Sequence, residues 1–334
     1  MAVGGYRLEF VDREAELAQL QGYAEKGTHA PLLLYGPEGC GKTRLLLELA
    51  RRLQGREYLV VYVDALEEDS LEAALAAPRW LREMVREAMG ELAPGPVGVL
   101  ASRAVVELLG RLERRRLEGK RVVLLVDDAA RPLGLERLEA YVKRLLRLLE
   151  HDLPEAGAAS ALAVLATSEG QSLEALTKHP TWVDARLIWN LPEPAARELA
   201  TALGAPGSRW PRVYRATGGN PRAILGLARN YSWDPEAWIE ALAARLAPLA
   251  RRVKREGLAR RLAEALEDPD ALAEPEPEAE KLARLLLGHN LVTPLGPGLA
   301  GPPPEPSQEL GIGQSYAWQL PALRDALRRA LART

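Results

Sequence analysis

Eight residues constrain this chain more than any other stretch: Gly36-Pro37-Glu38-Gly39-Cys40-Gly41-Lys42-Thr43. They satisfy the pattern G-x-x-x-x-G-K-[ST] in full. The apolar run Pro31–Tyr35 precedes them and the helical pattern Thr43–Leu53 follows. Strand, glycine loop and helix in that order make a phosphate cradle. Glycines let the backbone turn tightly and aim its N–H groups at phosphate oxygens, and the helix start adds positive dipole potential. Gly36, Pro37, Glu38, Gly39, Cys40 and Gly41 would wrap the phosphates. Lys42 would reach the β- and γ-phosphates, and the Thr43 hydroxyl would bind Mg²⁺. A nucleoside triphosphate and Mg²⁺ are therefore the implied ligands.

A second element supports the first. Arg121–Asp127 reads as an apolar strand ending in the carboxylate pair Asp127-Asp128. Asp127 would hold the metal, and Asp128 would orient or deprotonate a water attacking the γ-phosphate. A neighbouring strand, Ala161–Thr167, ends in Thr167-Ser168. A hydroxyl there could bond the γ-phosphate or the attacking water, and the sequence does not choose between the two. Cys40 is the sole thiol. Its place near a helix start should lower its pKa, and nucleotide should shield it from a thiol reagent.

The first two hundred residues alternate short apolar runs with longer helical patterns, which predicts a parallel sheet covered by helices on both faces. The strand candidates are Pro31–Tyr35, Tyr58–Asp64, Arg121–Asp127, Ala161–Thr167 and Ala185–Trp189. The helix candidates are Arg13–Glu25, Thr43–Leu53, Ser70 to about Ala93, Ser102–Glu118 and Leu133–Leu149. From Ala195 to about Arg261 the pattern is helical, with breaks at Gly204–Pro211, Gly218–Pro221 and Asn230–Pro235. Glu267–Glu280 carries seven acidic residues and three prolines, and reads as an exposed linker or a short acidic helix-turn. Glu280–Leu291 is helical again. Val292–Ser315, rich in Gly and Pro, reads as a mobile loop. Tyr316–Leu320 is a short strand candidate and Pro321–Arg333 a final helix.

Composition narrows the partners. The 334 residues carry 44 basic and 46 acidic side chains, a net charge of -2. That excludes wholesale attraction to nucleic acid or anionic membrane as the dominant signal. All but seven of the basic residues are arginine. No apolar run approaches the roughly 18 residues a membrane span needs. The start, MAVGGYRLEFVDRE, lacks an apolar signal-peptide core. The four histidines show no metal-ligand spacing with Cys40 or each other. A cytoplasmic protein without membrane attachment or structural zinc is expected.

Three further features carry a resemblance. Phe10-Val11-Asp12-Arg13-Glu14-Ala15-Glu16-Leu17 looks like the F-x-x-R-E-x-E-L opening of archaeal ATPases. Thr217-Gly218-Gly219-Asn220-Pro221-Arg222 looks like the G-G-x-P segment of their helical lid. Tyr316-Ala317-Trp318-Gln319-Leu320-Pro321 is similar to the end of their winged-helix domain. The whole chain thus resembles an archaeal ATPase of the STAND branch of AAA+-related P-loop proteins, which also resemble archaeal replication initiators. The resemblance implies a fold: an α/β P-loop NTPase core of ASCE/AAA+ type, with a helical lid and a C-terminal winged-helix-like domain. The expected domains are 1–194, 195–266 and 267–334. It also favours ATP as the nucleotide. It implies that Val11, Asp12 and Arg13 line the base pocket, that Pro221 packs near the base, and that Arg222 lies near a phosphate-sensing position. Arginines acting in trans are usual in oligomeric relatives, and Arg114, Arg115 and Arg116 are candidates here. A second carboxylate of Asp rather than Glu implies slow hydrolysis, a switch rather than a motor.

The output stays open between two classes. One is a switch whose nucleotide state repositions the C-terminal module for a protein partner or a second copy. The other is ATP-dependent binding of duplex DNA, of initiator or mobile-element type. From Arg251 to Thr334 basic and acidic residues balance at 12 each, where a DNA-reading domain is normally basic. The basic cluster Arg251-Arg252-Val253-Lys254-Arg255 is the local exception. A small-molecule kinase is the remaining reading, but no acceptor-site motif supports it.

Overall fold

The computed structural model describes residues 2–3, 6–7, 10–90, 92, 95–128, 130–168, 170–179 and 181–334. The chain divides into two compact units. One comprises Arg13–Tyr35 and Lys42–Arg186, the other Met1–Asp12, Gly36–Gly41 and Leu187–Thr334.

A six-stranded sheet organises the Arg13–Arg186 unit. Its strands are β1 (Leu32–Tyr35), β2 (Tyr58–Asp64), β3 (Leu75–Ala76), β4 (Arg121–Asp127), β5 (Ser160–Ala166) and β6 (Asp184–Leu187). They lie in the order β3-β2-β4-β5-β1-β6. Pairs β2–β4, β4–β5 and β5–β1 are parallel, and β3 runs antiparallel to β2. The fold is mixed α/β with a mostly parallel central sheet, as expected. Its helices include α1 (Glu14–Lys26), α2 (Lys42–Arg52), α3 (Arg79–Met89), α4 (Val97–Leu109) and α5 (Leu135–Arg147). β1 and β5 are buried along their whole length and β4 along all but its first residue, which is why they read as continuous apolar runs.

Three expectations for this unit need correction. The helix expected from Ser70 to Ala93 is interrupted: a turn at Leu71–Ala74 leads into edge strand β3, and α3 begins only after Pro78. Proline cannot continue a helix from the preceding chain, but it suits a helix start. The final residue of that expected helix, Ala93, lies outside the described residues. The helix expected over Ser102–Glu118 starts earlier, at Val97, and stops at Gly110; Arg114–Leu117 is a separate turn. The strand expected at Ala185–Trp189 runs from Asp184 to Leu187 and is half-buried, because it is a sheet edge.

The second unit is mainly helical. It contains α6 (Glu193–Ala202), α7 (Trp210–Thr217), α8 (Pro221–Asn230), α9 (Pro235–Arg255), α10 (Ala259–Glu267) and α11 (Pro277–Gly288), then β7 (Val292–Pro294), β8 (Tyr316–Trp318) and α12 (Pro321–Arg333). Caps explain the boundaries. Asn220 and Asp234 each accept backbone N–H bonds at a helix start, with proline in the first turn. One core joins Leu199, Trp210, Val213, Ile224 and Leu227. Another joins Leu262, Leu282, Leu286, Val292, Trp318 and Leu327. Arg329 pairs with Glu236 and Glu240, and Arg333 with Glu240, fastening α12 to α9.

The acidic stretch is not an exposed linker. Asp270 accepts backbone N–H bonds from Gln314 at 2.6 Å, Ser315 at 2.8 Å and Tyr316 at 3.0 Å. The Gly/Pro-rich segment is likewise held. Val292–Pro294 pairs antiparallel with Tyr316–Trp318. The Leu187 N–H donates to Pro297 and the Leu299 N–H donates back to Leu187.

Candidate functional site

In the Arg13–Arg186 unit, Lys42 and Thr43 open α2, and Lys42 is buried. Parallel register decides what stands around the end of β4. Asp64 of β2 aligns with Asp127, and Asp127 aligns with Ala166 of β5. Asp127 is almost fully buried. Its carboxylate accepts a hydrogen bond from the Tyr62 hydroxyl at 3.2 Å, and the Thr43 hydroxyl stands beside it. Burial pushes the Asp127 carboxyl up to about 6, against the opposing effect of the Thr43 hydroxyl; the Asp128 charge pushes it up as well. Burial, and then the Asp127 charge, pushes the Tyr62 phenol up as well, so it remains a donor. Asp128 follows in a left-handed conformation, φ 48°, with its N–H on the Ala166 carbonyl at 3.0 Å. Thr167, buried, follows β5 directly and donates its N–H to Leu34 at 2.9 Å; Ser168 is half-buried.

The rest of the phosphate motif, Gly36–Gly41, belongs to the second unit. The Cys40 N–H donates to Pro37 at 3.2 Å, closing a turn. Gly41 takes φ +107°, open to glycine and strained for other residues. Glu38 is exposed, yet each of its polar groups has a partner. Its N–H donates to Gln319 Oε1 at 2.9 Å, its C=O accepts from Asn220 Nδ2 at 3.0 Å, and its carboxylate pairs with Arg222 Nη1. The Arg222 N–H donates to the Gly39 carbonyl at 3.3 Å. A Cβ on Gly39 would stand 2.4 Å from Arg222 Cβ, so this close approach requires glycine. Pro221 is the first residue of α8, behind its cap Asn220.

Cys40 differs from expectation. Its side chain is buried and donates to the Ile188 carbonyl at 3.3 Å. A thiol so enclosed is shielded from reagents in this structure.

The opening segment is split between the units. Val11, half-buried, packs on the core around Trp210. Asp12 and Arg13 both adopt left-handed backbone, φ 61° and 73°, unusual for two adjacent non-glycine residues. Arg13 is buried and pairs with Glu16 at 2.7 Å. The arginine triplet is engaged locally. Arg114 pairs with Glu118 at 3.5 Å, Arg115 with Glu113, and Arg116 lies 4.7 Å over the Trp80 ring.

Sequence reasoning missed Tyr62, Asp64, Asn190 and Gln319. For the first two a signal existed: Tyr62 and Asp64 sit two apart on one strand face, at the end of a strand beside the Asp127 strand. For the other two there was none.

The family comparison decides the affiliation. A family described as an ATPase domain predominantly from Archaea matches residues 10–227. The chain belongs to this family. Its curated relatives include a replication factor C small subunit 2 from Pyrobaculum arsenaticum, 28% identical over 232 residues, covering 63% of this chain and 67% of that protein. The same subunit from Pyrobaculum islandicum is 27% identical over 175 residues, 48% of this chain and 50% of that one. The archaeal-ATPase chain thus spans about half the length of the first of the curated relatives it matches. Among solved structures, Aeropyrum pernix ORC1 in complex with DNA aligns over 97% of this chain and 93% of that one, with 19% identity and a TM-score of 0.42. AMPPCP-bound DnaA from Aquifex aeolicus aligns over 85% and 79%, with 15% identity and a TM-score of 0.39. No helix among the described residues is long and apolar enough to cross a membrane.

Proposed function

We propose that this archaeal-family ATPase binds Mg-ATP and hydrolyses it slowly, as a nucleotide-controlled switch. One observation carries the reading: Thr43, at the end of the phosphate motif, stands against Asp127, the buried carboxylate that ends its strand. The donor set suits the ion, since Mg²⁺ takes hard oxygen ligands. A buried carboxylate crowded by Asp128 and Asp64 is an arrangement that a divalent cation relieves.

Thr43 and Asp127 would hold Mg²⁺. Gly36 to Gly41 would surround the phosphates with backbone N–H groups, and Lys42 would neutralise the β- and γ-oxygens. Magnesium held there would supply charge neutralisation. Asp128 would orient the attacking water or take its proton, and Thr167 or Ser168 would donate a hydroxyl at the γ-phosphate. Val11, Asp12 and Arg13 would line the base pocket, with Pro221 near the base and Arg222 near the phosphates. The short Asp128 side chain favours slow turnover. The helical residues 195–266 would act as a lid and 267–334 as a winged-helix-like output module, switching a protein contact.

A second reading, duplex DNA binding, has its own observation. Arg251, Lys254 and Arg255 share the last turns of α9 and line one concave surface. No carboxylate of the described residues lies within ion-pair distance of them, whereas Arg252 and Lys281 are both held by Glu256.

ATP turnover with and without duplex DNA tests both. Asp128→Asn should keep ATP affinity and lower turnover about tenfold or more, as expected for loss of a general base. Lost binding would make Asp128 a metal ligand or a structural residue. Stimulation by duplex that fades with rising salt would favour the DNA reading, because phosphate contacts release counterions. Turnover indifferent to duplex favours the protein-contact switch.

A further inference from the structure

Gln319 stands far along the chain from Gly36–Thr43, at the junction of β8 and α12, yet its side chain bonds the backbone of the phosphate motif. Its Oε1 accepts the Glu38 N–H at 2.9 Å. Gln319 is buried and its own position is fixed. Its N–H donates to the Leu291 carbonyl at 2.9 Å, and its C=O accepts from Asn190 Nδ2 at 3.1 Å. Asn190 Oδ1 accepts from Asn220 Nδ2 at 2.8 Å, and the same Asn220 amide reaches the Glu38 carbonyl at 3.0 Å. Four residues, Glu38, Gln319, Asn190 and Asn220, therefore close one hydrogen-bonded ring. Asn190 and Asn220 are also buried. Buried amides left without partners are costly, so the ring members hold one another in place.

The ring pins both peptide planes that flank Glu38. Those planes set the path into Gly39 (φ +81°) and so the directions of the N–H groups that follow in the motif. Arg222 adds a clamp from α8, through its backbone to Gly39 and its guanidinium to Glu38. We propose that Gln319 is a positioning residue for the phosphate loop: its side-chain oxygen holds the Glu38 peptide in the orientation that receives a nucleoside triphosphate. Triphosphate affinity then depends on where the C-terminal strand and helix carry Gln319, and the loop conformation in turn biases where they sit. The inference rests on the reading of Gly36–Thr43 as the nucleotide loop.

Two full-length proteins test it: wild type and Gln319→Met, which removes the acceptor at similar size. Calorimetry in Mg²⁺ gives the ATP Kd, and a melting curve without nucleotide reports folding. Gln319→Met should bind ATP about tenfold more weakly, the scale of one lost hydrogen bond. Unchanged ATP affinity in folded Gln319→Met overturns the role. A fall in melting temperature alone, with the Kd unmoved, marks Gln319 as merely structural and also overturns it. If Gln319→Met does not fold, hydrogen exchange on the wild type decides. The Glu38 amide should be protected although its side chain is exposed; fast exchange overturns the proposal. Wild type that binds no ATP sinks the nucleotide reading instead, while exchange at Glu38 still judges the hydrogen bond.

Discussion

Asp127 is a costly residue to bury at the candidate site. Its carboxylate is buried, with Asp128 and Asp64 adding repulsion and the Thr43 and Tyr62 hydroxyls offsetting it. Tyr62→Phe removes one of those donors and leaves a buried oxygen without it. The expected cost is about 1–3 kcal/mol of stability, read as a lower urea midpoint. An unchanged midpoint would mean that the 3.2 Å contact contributes nothing. Asp127 and Asp128 are legible in the sequence because an unbroken apolar run ends on them. Tyr62 is not, because its phenol meets Asp127 only through the register of β2 against β4. Cys40 shows the converse: the motif locates the residue, but the side chain turns to the Ile188 carbonyl, which no local pattern announces.

Among the elements, α2 links the phosphate motif to the core, and an ion network runs along it. Glu48 lies between Arg51 and Arg52, and Arg52 also reaches Glu14 of α1. The Arg51 hydrogen bond, followed by that of Arg52, outweighs burial and brings the Glu48 carboxyl from 4.5 down to about 2. A depressed carboxyl stabilises the fold above its unfolded value, and the effect is lost as pH falls through the folded value. Glu48→Gln should therefore melt below wild type at neutral pH, with the gap closing between about pH 4.5 and 2. Arg51 is largely exposed, so solvent screening keeps the gap modest. A gap constant with pH would show that packing, not charge, is what Glu48 supplies. The long helices are readable from periodicity, and the central strands from unbroken apolar runs. Edge strand β3 is hidden because two residues carry no period, and the Asp270 clamp is hidden because its partners lie at Gln314–Tyr316.

For the molecule as a whole, compactness groups Gly36–Gly41 with Leu187–Thr334, while Lys42 and Thr43 go with the sheet. A reading in contiguous blocks cannot produce that grouping, since it arises from Glu38 and Gly39 contacts with Asn220, Arg222 and Gln319. Gly36–Thr43 is proposed to bind a nucleoside triphosphate. Calorimetric titration of ATP in Mg²⁺ into wild type and Lys42→Ala addresses this directly. Saturable binding by wild type should weaken about tenfold to a hundredfold in Lys42→Ala, the scale of one charge-assisted contact. Equal affinity of the two proteins, or no binding by the wild type, would contradict it.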